Sequence, residues 1–214
     1  MKELIQHIVF VGNGLYLTLE LLSGGLLIGV VLGVTWAIAR QQAMAQMLIN
    51  SLISLLRGTP LILQLSLIYF SVPALLGIRP SIVSAGILAF GLNSSAYFAE
   101  IFRAGIESLP KGQFEAAKTL NIPAFYLWKD IILPQVLKNT YPALINELIA
   151  LLKETALIST IGGMDLMRHS QSLAAEQFSY FLPLCIAGAY YYGLVLTIET
   201  LSKRLTKRGS YVTH

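Results

Sequence analysis

The chain has 214 residues, of which 55% are hydrophobic and 12% charged, and its mean hydropathy is +0.67. A chain this apolar cannot bury its side chains around one soluble core of its size, so it reads as an integral membrane protein. The formal net charge of +4 comes from scattered basic residues, which excludes the clustered basic stripe of a nucleic-acid-binding surface. Cys185 is the single cysteine and lies in an apolar run, so it offers no internal disulfide.

The first apolar run, residues 15 to 39, ends in Ala37-Ile38-Ala39, a small-x-small pattern like that of a cleaved secretory signal. The run is about twice as long as a signal core, and Lys2 is the only basic residue ahead of it, whereas Arg40 follows. It reads as an uncleaved helix. Crossing the hydrocarbon core takes about 20 apolar residues, and four more runs meet that length: 51 to 72, 82 to 104, 140 to 162 and 181 to 202.

The second run is opened by Arg57-Gly58-Thr59-Pro60 and carries Gln64; the third carries Asn93, Ser94 and Tyr97. These polar groups can donate or accept in a low-dielectric cleft, although bonding between helices is the commoner role of isolated Asn, Gln and Ser in membranes. Glu100 and Arg103 have the three-residue spacing of a local ion pair.

Between the third and fourth runs lie about 35 residues, Gly105 to Asn139, too many for a plain connection between packed helices. Ser108-Leu109-Pro110-Lys111-Gly112 reads as a turn, and Gln113 to Leu120 as a helix. Asn121 suits the left-handed position that ends a helix. Pro123 starts a second short helix to about Leu127, and Pro134 marks a break before the fourth run. Ala116 and Ala117 would allow another surface close. Composition is equally served by an amphipathic linker lying on lipid headgroups.

In the fourth run Glu147 and Glu154 are seven residues apart, hence on one face of a helix and about two turns from each other. A carboxylate at membrane depth costs about 3 kcal/mol on insertion scales, so it must face a cavity or a cation. Two acids on one stripe form an anionic wall, with Asn146 and Lys153 as neighbours. The alternative is an internal ion pair of Glu154 with Lys153 or Arg57; adjacent helical residues point about 100° apart, which makes Lys153 a poor partner. Gly162-Gly163 through Gln177 reads as an external loop with room for a short interfacial helix. Around the fifth run, Phe178, Tyr180, Phe181 and Tyr190-Tyr191-Tyr192 form an interfacial belt or pack helices. Glu20 and Glu199 pair across helices or reach an interface. His7, His169 and His214 lack metal-ligand spacing, so no metal site is expected.

Five crossings put the termini on opposite sides. With the C-terminus inside, most Lys and Arg residues, from Arg40 to the basic end Lys203 to Arg208, fall inside, and only Lys2, Arg79 and Arg168 outside. The positive-inside rule therefore selects N-out, C-in, and the basic end can touch anionic lipid.

The insert resembles the signature of the membrane subunits of ATP-binding-cassette importers: Glu115-Ala116-Ala117, then Asn121 where that pattern has Gly, then Ile131, Leu133 and Pro134 at matching spacing. Asn121 keeps the left-handed tolerance but adds a side chain. The likeness extends to the polar-amino-acid branch through Arg57-Gly58-Thr59-Pro60-Leu61, the stretch Leu92-Asn93-Ser94 to Ala99-Glu100-Ile101-Phe102-Arg103, and Asn146-Glu147 to Leu151-Leu152-Lys153-Glu154-Thr155. The resemblance implies an all-α integral membrane permease of a bacterial inner membrane, about five spans, with residues 105–139 as a coupling segment on the cytoplasmic side. It implies that Glu115, Ala116, Ala117 and Asn121 meet a cytoplasmic ATPase, and that Glu147, Glu154, Asn93, Tyr97 and Gln64 meet a polar or cationic amino acid. It further implies a second permease subunit and an external substrate-binding protein. No Gly-x-x-x-x-Gly-Lys-Ser/Thr loop occurs in this chain, so ATP and Mg²⁺ would be bound by the partner, and the chain is not expected to be an enzyme. Two rivals remain: the same architecture importing another small solute, and an ATP-independent channel or carrier gated by the insert.

Overall fold

The computed structural model describes residues 1–40 and 43–209, all helices and their connections, with no strand among the described residues. Helices α1 (Lys2–Gly12) and α2 (Leu15–Ala39) run on as an apolar segment of 38 residues. α1 begins well before the expected run at residue 15. It is fastened by its own contacts: Val11 is fully buried, and the Tyr190 hydroxyl donates to the Ile8 carbonyl at 3.0 Å.

Two helices are long and apolar enough to cross a membrane besides this one: α6 (Ile82–Glu107) and residues Phe181–Leu205 of α11 (Phe181–Gly209). The second expected run is not straight. It begins earlier as α3 (Ala43–Gly58), breaks, and resumes as α4 (Leu61–Ser66), a π-helical turn Leu67–Ser71 and α5 (Val72–Leu76), with a bend of 103°. Pro60 has no N–H to continue the ladder, and the carbonyls released are taken up by a side chain: Gln64 Nε2 donates to the carbonyls of Leu56 at 2.7 Å and Thr59 at 3.2 Å, and to Thr59 Oγ1 at 2.9 Å.

The fourth expected run is helical as α9 (Leu133–Glu154) followed by a 3₁₀ segment, Thr155–Ile161. Lys138, Glu147, Lys153 and Glu154 leave it less apolar than the other three. Pro134 does not break the chain as expected. A short α8 (Ala124–Tyr126) leads through a π-helical segment, Leu127–Ile132, directly into α9. The wider π turn moves the backbone ahead of the proline ring, which would otherwise clash with the preceding turn. The same device precedes Pro73. The expected external loop is largely a helix, α10 (Leu166–Gln177), capped by Asp165, whose Oδ1 accepts the Arg168 N–H at 2.9 Å, and pinned by the Tyr191 hydroxyl on Asp165 Oδ2 at 3.1 Å. Glu199 pairs not across helices but with Lys203 along α11, at 3.8 Å. The side chains of Lys207, Arg208 and His214 lie outside the described residues.

The central contact is α2 against α6. The buried stripe of α2 is Thr18, Leu21, Gly25, Gly29 and Gly33. Lipid tails supply no hydrophobic drive for helix association, so close backbone approach through small residues takes over. A Cβ at Gly33 would lie 2.5 Å from Phe98 Cβ, and one at Gly29 3.0 Å from Ser94 Cβ. Around this contact Leu21, Leu65, Phe90, Leu151 and Ile158 close a core shared by α2, α4, α6, α9 and the 3₁₀ segment.

Gly33→Leu is expected to destabilise the protein by about 1–3 kcal/mol or prevent its folding, because the added side chain has no space. Gly188→Leu, at an α11 position with nothing within 4 Å, serves as the control and should leave the thermal unfolding midpoint of the purified protein within about 1 °C.

Candidate functional site

α6 and α9 bring the polar residues of the third and fourth runs together. Glu147 on α9 is 9% exposed, and its Oε1 accepts the Ser94 hydroxyl of α6 at 2.8 Å. Ser94 is thus the nearest partner of the buried acid. Beside it on α6, Asn93 is 4% exposed and its Oδ1 has no hydrogen-bond partner. Glu154, half-buried, lies seven residues further along α9, about 10 Å on the helix axis. Lys153 points out into an exposed position. No ion pair of Glu147 or Glu154 with a basic residue occurs among the described residues, so neither the Lys153 nor the Arg57 pairing accounts for Glu154.

Gln64 is held elsewhere: its amide N–H groups close the break after α3, while its Oε1 is buried without a partner. Tyr97, half-buried, is one turn along α6 from Asn93 and lies under the Arg57 guanidinium, 5.4 Å from its ring centre. The local pairing expected of Glu100 and Arg103 is present, and it is part of a larger cluster. Glu100 Oε1 accepts Arg40 Nη1 at 2.6 Å and Oε2 accepts Arg103 Nη2 at 2.9 Å, while Arg57 Nη1 stands 3.4 Å from Oε2 as an ion pair without a hydrogen bond. One carboxylate thereby ties the ends of α2 and α3 to α6. A groove of about 590 Å³ opens beside it, between Arg57, Tyr97 and Arg103 on one side and Asn139, Thr140 and Ala143 of α9 on the other. The role of Arg40 and Arg57 in this cluster was open to sequence reading only as two cations flanking apolar runs.

The insert is a compact element. α7 (Lys111–Thr119) ends in Asn121, whose φ of 53° is the left-handed conformation expected of it. The turn closes with Asn121 N–H to Lys118 O at 3.2 Å and Ile122 N–H to Ala117 O at 3.0 Å, the paired bonds of a Schellman cap. Gln113 and Gln135 exchange amide hydrogen bonds at 3.0 and 2.9 Å, while Leu109, Ile132 and Val136 pack with Phe114 and Trp128 beneath α7. Ala117 is 3% exposed; it faces this inner contact and is not available to another surface, contrary to the reading of Ala116 and Ala117 as a pair. Glu115, Ala116 and Asn121 are exposed. Sequence reading missed the apolar residues beside them: Leu120, Phe125 and Tyr126 are 72%, 68% and 55% exposed. No group of three or more His, Cys, Asp or Glu side chains suited to a metal ion occurs among the described residues.

The family model described as the inner membrane component of binding-protein-dependent transport systems matches residues 26–209. The chain belongs to that family. The permease is similar throughout to a Rickettsia typhi protein named for glutamine transport, at 44% identity over 97% of this chain and 98% of the relative. It is also similar to the arginine transport system permease protein of Bacillus subtilis, at 40% identity over 95% and 94% of the two chains. A crystal structure of an amino acid ABC transporter with histidines is 36% identical and superposes with a TM-score of 0.88 over 96% of this permease and 97% of that chain. An inward-facing methionine ABC transporter shares the fold at 17% identity, with a TM-score of 0.75 over 93% and 95% of the chains. The expected all-helical permease, a transport subunit that is not itself catalytic, is therefore the architecture found.

The left-handed cap gives a direct test of the insert. Asn121→Gly should keep the turn, whereas Asn121→Val, a β-branched residue at positive φ, should cost about 1–3 kcal/mol locally. Limited proteolysis of the insert would read this as faster cleavage near residue 121 in the valine variant alone.

Proposed function

We infer that this permease is the membrane subunit of an ATP-driven importer of polar amino acids, with cationic ones well suited to its buried acids. The observation that carries the reading is its end-to-end similarity to the amino acid ABC transporter of known structure and to permeases named for glutamine and arginine transport. The orientation is N-out, C-in, with α7 and α8 on the cytoplasmic side. There the exposed Glu115, Ala116, Asn121, Leu120 and Phe125 dock an ATPase subunit that binds ATP and Mg²⁺. A second permease subunit completes the pathway, and an external substrate-binding protein delivers cargo.

The geometry supports a mechanical link between docking and cargo. From Ala124 to Glu154 the chain is one helical run, so Phe125 of the docking surface and the carboxylate of Glu147 stand on the same rod, to which α7 is fastened by the Gln113–Gln135 pair. Closure of two ATPases displaces α7 and α8, the rods tilt, and the faces bearing Glu147 and Glu154 change their access from one side to the other. Cargo that binds one arrangement better than the other shifts the equilibrium by that difference in affinity. Glu147, buried against a single hydroxyl donor, has capacity left for an ammonium or guanidinium group.

Two variants test the parts separately. Glu115→Arg should release the ATPase during purification while the permease stays folded. Glu147→Gln should keep the ATPase bound and lower ATP-dependent amino-acid uptake into proteoliposomes by about tenfold or more. A permease that purifies without any ATPase and conducts unaided would make it a channel or carrier instead.

A further inference from the structure

We propose that Arg57 receives the carboxylate of the cargo in the groove beside Glu100, about one helical turn from the level of Asn93 and Glu147. The inference rests on the amino-acid importer reading above.

The polar groups at the level of Glu147 are acceptors: its own carboxylate and, beside Ser94 on α6, the carbonyl oxygen of Asn93, which has no partner among the described residues, with the carboxylate of Glu154 two turns further along α9. They answer an ammonium or guanidinium group and leave the carboxylate of an amino acid without a partner. A carboxylate drawn out of water without a donor is costly, so the path needs a cation. Of the arginines at Glu100, two have their donors engaged. Arg40 is 15% exposed, with Nη1 on Glu100 at 2.6 Å and Nε on Asn50 at 2.7 Å. Arg103 places Nε and Nη2 on Glu100 and Nη1 on Glu107.

Arg57 differs. It approaches Glu100 only at 3.4 Å, makes no hydrogen bond among the described residues, and is 42% exposed into the groove. Its guanidinium is steadied over the Tyr97 ring at 5.4 Å, which orients a planar fork and leaves its edge open. That fork matches a carboxylate in two parallel hydrogen bonds. The groove also has the right register. Tyr97 follows Asn93 by four residues and Ala143 precedes Glu147 by four, so both walls of the groove lie about 6 Å, roughly one helical turn, from the level of Asn93 and Glu147. A basic amino acid stretched from the groove to that level presents its two charges at a separation of that order.

The test compares cargo pairs that differ only in the carboxylate: L-arginine with agmatine, and L-glutamine with 4-aminobutanamide. Binding is measured on the purified permease–ATPase complex without the substrate-binding protein, so that the latter's own selectivity does not enter. Wild type should bind at least one amino acid about tenfold or more tighter than its decarboxylated partner. Arg57→Gln should weaken that amino acid by about 10- to 100-fold and leave the partner within about twofold. Arg57→Lys keeps the charge beside Glu100 but loses the fork, and should show an intermediate preference; it carries the test if the glutamine variant does not assemble. An unchanged preference in the variants, or an equal loss for both members of a pair, overturns the role of Arg57 and leaves the importer reading intact. A wild-type complex that neither binds nor transports any of the twenty amino acids overturns both.

Discussion

The approach of α2 to α6 along Gly25, Gly29 and Gly33 is the constraint on which the remaining geometry hangs. In a bilayer the apolar side chains gain nothing by leaving lipid for protein, so two helices stay together only where their surfaces fit closely. Glycine at every fourth position makes such a surface on α2, and Phe90, Ser94 and Phe98 of α6 fill it. With α6 fixed in rotation by that contact, Asn93 and Ser94 are buried, Tyr97 lies at the groove, and Glu100 reaches the ends of α2 and α3. A side chain at Gly29 or Gly33 would turn or displace α6 and move all four.

The second contact of α6, with α9, follows the same logic at the other end. Gly105 approaches so near to Thr140 that a Cβ there would overlap the threonine methyl. Below it the Gln113–Gln135 amide pair and the cluster of Leu109, Ile132 and Val136 fasten α7 onto the start of α9. The insert is therefore seated on the two helices that carry the polar groups of the groove. Its outer side is left with Glu115, Ala116 and an apolar patch of Leu120, Phe125 and Tyr126 that no described residue covers.

Much of this was legible in the sequence where a single residue type has a single backbone consequence. Asn121 ended a helix in the left-handed conformation, and the stretch Arg57-Gly58-Thr59-Pro60 announced an irregular second run. The acids of α9 shared a face because the helical period required it. What escaped reading depends on partners distant in sequence. Whether Ala116 or Ala117 faces outward is decided by how α7 seats on the start of α9 through the Gln113–Gln135 pair, and whether Gln64 faces cargo or backbone is decided by the carbonyls that Pro60 leaves open. The bend of 103° cannot be read from Pro60 alone, since Pro142 sits inside α9 and Pro134 at its start with the helical path unbroken. The early start of α1 is carried by Leu4, Ile5, Ile8 and Val9, a stretch too short to cross a membrane by itself.

Those two prolines in the Ala124–Glu154 run give the rod a mechanical character of its own. Each lacks an N–H, so the carbonyls of Asp130 and Lys138 lose the donor that an ordinary helix would supply four residues on, and the π-helical turn ahead of Pro134 is already over-wide. Such points resist compression along the axis nearly as well as intact helix but yield more readily to bending. The run is therefore softest to bending between Asp130 and Pro142, on the path from the insert to the level of Glu147.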